Sequence, residues 1–182
     1  MSKLNRLLVP VEFSPRCRGA VQYAEALSAH YHSEIVLLHV VIPPLANFSS
    51  FEAMAYASAG DLAREIAEQR TVELDKFPCK VPVDSSLRRV VLEGDPTDTI
   101  VDFASREKCN LIVMPTRGYG PFRRFLLGSV TAKVLRSLGV RQQDQSFPGP
   151  LLHSAKFRTE FGNDLLVVQH IIYEHEGKRG LS

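Results

Sequence analysis

Two hydrophobic periods alternate along this chain. Leu7 to Val11 is an unbroken apolar run, and behind it Cys17, Ala20, Val21, Ala24 and Leu27 recur at steps of three and four residues. The first pattern predicts a strand buried on both faces, and the second a helix with one apolar stripe reaching to about His30. Between them, Ser14 and Pro15 read as an N-cap followed by a proline at the first helical position. Glu34 to Val41 is a second buried strand, stopped by Pro43 and Pro44. Ala59, Leu62, Ala63, Ile66, Arg70, Leu74 and Phe77 then form the stripe of a long helix, which the arginine interrupts. Leu87 to Glu93 is a third strand. Gly94, Asp95 and Pro96 supply a turn, a cap and an N1 proline for a helix from about Thr97 to Lys108. Asn110 to Pro115 is a fourth strand. Gly128 and Ser129 open the last helix, with Ser129 as its cap and Val130, Val134, Leu135 and Leu138 on its apolar face.

Near-continuous apolar strands, each followed by a helix, specify parallel βα units with helices on both faces of the sheet. The predicted class is therefore α/β, doubly wound, with a mostly parallel, Rossmann-like sheet. The pattern stops at Gly139. Arg141 to Pro150 is polar and ends in proline and glycine, as a linker does. Asp164 to Ile172 could supply a fifth strand, but it lies roughly 25 residues past the last helix, where a tight connection needs about 2 to 6. The expected organisation is an α/β domain over 1–140 and a divergent linker and tail over 141–182, the tail being either a displaced fifth strand or disordered.

Composition is consistent with that picture. The chain has 182 residues, 45% hydrophobic and 23% charged, which is ample for one core and ordinary for a globular domain. No apolar run approaches the ~20 residues that cross a bilayer, and Met1 to Arg6 lead straight into the first strand without a leader pattern. The expectation is a cytoplasmic chain with no membrane contact. Cys17, Cys79 and Cys109 are odd in number and far apart, with no CxxC or Cys/His cluster, which suits a reducing compartment and argues against structural zinc.

Charge adds one asymmetry. Residues 1–107 hold 15 acidic and 11 basic residues, whereas 108–143 hold Lys108, Arg117, Arg123, Arg124, Lys133, Arg136 and Arg141 and no acid. Such a block suits an anionic partner. A nucleic-acid partner is not expected, because only Tyr119, Phe122 and Phe125 interleave with these cations and the fold offers no groove-reading element.

In a doubly wound sheet, ligands bind beyond the carboxyl ends of the strands where the strand order reverses. If the first and fourth strands are neighbours there, the crevice is bounded by Pro10 to Ser14 and by Met114 to Gly118, where the basic block begins. Gly118 and Gly120 permit a sharp or left-handed backbone path, and Gly128 and Ser129 present the free amides of a helix N-terminus, which suit phosphate oxygens. No GxxxxGK[ST], HExxH or GxSxG motif occurs, so no catalytic residue is assigned. His39 reads as a packed core histidine.

These residues resemble the universal stress protein family. Val9 to Ser14 is similar to that family's first strand and loop, and Leu38 to Val41 to its second strand. Asn110 to Gly118 followed by Phe125 to Val130 is similar to its hallmark strand and phosphate loop. The resemblance covers about 4–137. It implies a sheet ordered 3-2-1-4-5, a homodimer and, in one subgroup, binding of ATP or another adenine nucleotide, with magnesium. By the match, Val11, Glu12 and Val40 would meet the adenine or ribose. Met114 and Arg117 would flank the nucleotide, and Gly118, Gly128, Ser129 and Val130 would line the phosphates, with Gly120 in the same loop.

Three positions depart from the family pattern. Pro121 stands where the subgroup has its second glycine, Pro115 replaces the glycine after the fourth-strand methionine, and Glu12 replaces an aspartate. The tail departs more: the family follows its last helix at once with a short strand that often forms the dimer edge, and nothing apolar follows Leu138 here. A displaced strand, a disordered tail and a reading-frame change are the three explanations. The expected function is a stress-response protein binding an adenine nucleotide between the first and fourth strands, non-catalytic or at most a slow ATPase. The alternative is a nucleotide-independent homodimeric interaction module of the same fold.

Overall fold

Four parallel strands make the centre of the sheet, each where the sequence carries an apolar run: β1 (Arg6–Pro10), β2 (Glu34–Val41), β3 (Leu87–Glu93) and β4 (Leu111–Pro115). The computed structural model describes residues 4–43, 59–115, 128–138, 154–159 and 162–169. β1 lies between β2 and β4, and β3 borders β2, giving the order β3-β2-β1-β4 that the family resemblance implies.

Beyond β4 the sheet continues with strands from the tail. The tail run forms β6 (Gly162–Gln169), which pairs with β4 antiparallel, Leu111 opposite Gln169 and Pro115 opposite Leu165. A strand β5 (Ser154–Thr159), not expected from the sequence, pairs antiparallel with β6 and completes the order β3-β2-β1-β4-β6-β5. Apolar content marked the run as a strand. Apolar content does not set a strand's direction, which depends on how the chain reaches it.

Helices cover both faces. Alternate strand residues point to opposite sides, so Leu7, Val9, Ile35, Leu37 and Val113 pack with α1 (Cys17–Tyr31) and with Leu74 of α2 (Ala59–Asp75). Leu8, Val36, Leu38, Ile112 and Met114 pack on the other side with α3 (Pro96–Arg106) and α4 (Ser129–Ser137). The doubly wound arrangement follows from these two layers. Arg70, the interruption in the α2 stripe, sits over the ring of Phe13 at 5.7 Å and reaches Glu73 at 2.6 Å, so its charge stays at the layer's rim.

Two helix starts differ from expectation. Ser14 does not cap α1: its carbonyl accepts from the Cys17 amide at 3.1 Å across a turn through Pro15 and Arg16, Arg16 takes the N-cap position, and no side chain caps the helix. α4 begins one residue earlier than expected, with Gly128 rather than Ser129 at N-cap and Ser129 as first helical residue. The third start is as read. Asp95 Oδ1 accepts from the amides of Thr97 at 2.8 Å and Asp98 at 3.2 Å, with Pro96 following.

The amino ends of the strands are tied by charge. Arg6 bonds Glu34, and Arg88 bonds Glu107 at 2.6 Å while approaching Glu34 at 3.9 Å. This closes one end of the sheet and leaves the opposite, carboxyl end for a ligand.

Candidate functional site

The strand order reverses at β1, which has β2 on one side and β4 on the other, so the chain leaving β1 and the chain leaving β4 turn to opposite faces. A cleft of about 270 Å³ opens there, lined by Pro10, Val11, Glu12, Leu38, His39, Val40, Ile42, Pro96, Ile100, Met114, Pro115, Val130 and Thr131. Its wall is mainly aliphatic. The volume lies just under the ~300–1,000 Å³ of sites that take drug-sized ligands.

Five of the sequence-predicted residues, Val11, Glu12, Val40, Met114 and Val130, line this cleft together. Val11 and Met114 are buried, Val40 and Val130 half-buried, and Glu12 exposed at the mouth. Gly128 and Ser129 stand at the amino end of α4 next to Val130, outside the lining itself. Arg117, Gly118 and Gly120, like Pro121, lie outside the described residues.

Three backbone groups at the start of the β1–α1 connection have partners. The Val11 amide donates to Leu38 O at 2.8 Å, extending the β1–β2 ladder by one residue. The Val11 carbonyl lies 2.7 Å from His39 Nδ1, and the Glu12 amide donates to Cys17 Sγ at 3.3 Å. Phe13 then turns through φ 61, a left-handed conformation that a bulky residue adopts only when its surroundings impose it. Its ring is fixed between His39, 4.5 Å away, and Phe77, 6.0 Å away. Sequence reading treated His39 as core packing alone; the structure adds the bond to Val11. Burial lowers its pKa, with Arg70 acting in the same direction and the Val11 bond opposing both.

On the β4 side, Pro115 is buried and has no amide to offer, and its carbonyl accepts from Thr131 Oγ1 at 3.0 Å. Thr131 was not singled out from the sequence. Its only signal was a hydroxyl within the apolar face of a helix, and the partner, 16 positions away, is brought near by the fold.

The basic block is partly compensated in space. Lys133 and Arg136 share a shallow depression with Asp95 and Asp98, whereas Arg117, Arg123, Arg124 and Arg141 lie outside the described residues. The Asp95 carboxyl is held below its ordinary range chiefly by the Asp98 and Thr97 amides, with Lys133 a smaller contributor. Among the described residues, no three His, Cys, Asp or Glu side chains gather to hold a metal ion, and no helix is long and apolar enough to cross a membrane.

Comparison with known proteins agrees with this geometry. Residues 3–140 match the model of the universal stress protein family. The universal stress protein MJ0531 of Methanocaldococcus jannaschii is 27% identical over 134 residues, 72% of this chain and 76% of that protein. A solved structure of MJ0577, from the same organism, superposes with a TM-score of 0.52 at 25% identity, covering 74% of this chain and 90% of the other. The universal stress protein UspA from Lactobacillus plantarum shares the fold with a TM-score of 0.52 at 21% identity, over 75% of this chain and 93% of that one.

Proposed function

The chain belongs to the universal stress protein family, and from that premise we propose that it binds an adenine nucleotide in the cleft between β1 and β4. The observation that carries this reading is the convergence of Val11, Glu12, Val40, Met114 and Val130 on one aliphatic cleft at the strand reversal. A purine fits an aliphatic slot of this size, and Glu12 at the mouth is placed to accept from ribose hydroxyls. The phosphates would extend toward the amino end of α4, where the amides following Gly128 are not consumed by a capping side chain and favour negative charge. Magnesium would arrive with the nucleotide. The protein works as a homodimeric, cytoplasmic stress-response protein that senses or stores nucleotide, with hydrolysis slow or absent.

One observation favours the alternative, a nucleotide-independent homodimeric module of the same fold. Pro115 contributes no amide, and Thr131 already occupies its carbonyl, so this strand end is poorly equipped for polar contact with a ligand.

A thermal-unfolding titration with ATP and magnesium, with GTP as control, separates the two. A ligand that binds only the folded state adds about 2.7 kcal/mol at 100 times its dissociation constant, roughly 5 to 10 °C for a chain of this size. An ATP-specific rise of that order, lost in Gly128→Val, supports the nucleotide reading. No rise in folded, nucleotide-free protein selects the alternative.

A further inference from the structure

His39 is among the residues that line the cleft, yet its ring packs on Phe13, which belongs to the α1–α2 layer on the far face of the sheet. Its Nδ1 is 2.7 Å from the Val11 carbonyl oxygen. A carbonyl can only accept, so Nδ1 carries the proton and donates. Val11 is thereby held on both sides of its Cα, through its amide to Leu38 and through its carbonyl to His39. The next residue, Glu12, is the acidic group at the cleft mouth, and its amide is anchored on Cys17. The Val11 carbonyl belongs to the same peptide unit as the Glu12 amide, so a shift of one moves the other.

We propose that His39 is a positioning residue for nucleotide binding: its Nδ1–H fixes the Val11–Glu12 peptide from behind the sheet and so sets where Glu12 meets the ligand. The inference rests on the nucleotide reading above for its functional consequence, but the restraint itself exists in the free protein. Both the neutral Nδ1–H form and the cation donate this bond, so it does not depend on the charge of the ring. Asparagine places its side-chain NH₂ at the same number of bonds from the backbone as His39 Nδ1; glutamine places it one bond farther; leucine has no donor.

The test uses the full chain and three variants, His39→Leu, His39→Asn and His39→Gln, with two readouts. In calorimetric titration with ATP and magnesium, His39→Leu weakens affinity by roughly threefold to tenfold, the span of one net hydrogen bond. His39→Gln weakens it similarly and His39→Asn restores it. In the nucleotide-free chain, hydrogen exchange at the Val11 and Glu12 amides quickens in His39→Leu and His39→Gln and stays slow in His39→Asn, while amides in the middle of α3 are unchanged in all three. Wild-type protein that fails to bind ATP removes the nucleotide reading, and the exchange pattern then decides the restraint alone. Unchanged exchange in His39→Leu, or an asparagine variant as fast as the leucine one, overturns the proposal.

Discussion

Thr131 and His39 do the same kind of work on the two sides of the cleft: each donates to the carbonyl of a strand end, Pro115 in one case and Val11 in the other. Thr131 is buried, at 4% exposure, so its bond is formed away from competing water. Replacing it by valine keeps the shape and removes the donor, which should lower stability by about 1 kcal/mol, or roughly 2 to 4 °C in thermal midpoint. Thr131→Ser should recover most of that, and a serine variant as unstable as the valine one would show that packing, not the bond, is at issue. Neither role was legible from the sequence, because a side chain that serves one distant carbonyl leaves no local pattern. Val11, Glu12, Val40, Met114 and Val130 were legible, because a site at the strand reversal draws on strand ends and helix starts, and those are what hydrophobic periodicity marks.

Among the elements, α3 shows how a local signal survives into the structure. Asp95 and Pro96 are sufficient to start it, since the carboxylate takes up two amides of the first turn and proline needs none. Those two amide bonds are the main cause of the lowered Asp95 pKa. A carboxyl whose folded value lies below its ordinary 3.8 stabilises the fold above that value and loses the contribution as pH falls through the folded one. Asp95→Ala should therefore lower the thermal midpoint at neutral pH, and the gap from wild type should close in strong acid. Calorimetric scans of both proteins from neutral pH downward check this, and a gap that stays constant into acid would exclude the charged cap as its source. The α1 start was misread for a related reason: Ser14 and Pro15 satisfy the cap rule, but Ser14 is drawn into the core with its hydroxyl 3.6 Å from Cys17 Sγ, and the helix begins after it. The tail strand was legible as an apolar run but its antiparallel pairing was not, since burial on a sheet reads alike in either direction.

At the scale of the molecule, the sheet separates two core clusters, one on each face, that draw on the same strands. Ile35 is wholly buried in the layer beneath α1 and α2, and Ile112 is wholly buried in the layer beneath α3 and α4. The doubly wound class was legible because β1, β2 and β4 are apolar at nearly every position, which only a strand covered on both faces requires. Each layer supports one wall of the function argued above: the first holds Phe13 and His39 behind the β1 end, and the second contains Met114 and Ile100 of the cleft itself. If the backbone of the sheet is the only link between them, small cavities made in each should not feel one another. Ile35→Val and Ile112→Val should each cost about 0.5 to 1.5 kcal/mol, and the double variant should equal their sum within about 0.5 kcal/mol. Denaturant unfolding of the four proteins measures this directly. Agreement would mean that the α1–α2 layer acts on the cleft through the strand ends alone, as the His39 bond to Val11 requires, whereas a larger coupling would mean that strain passes through the strands themselves and that Glu12 is set by the whole core.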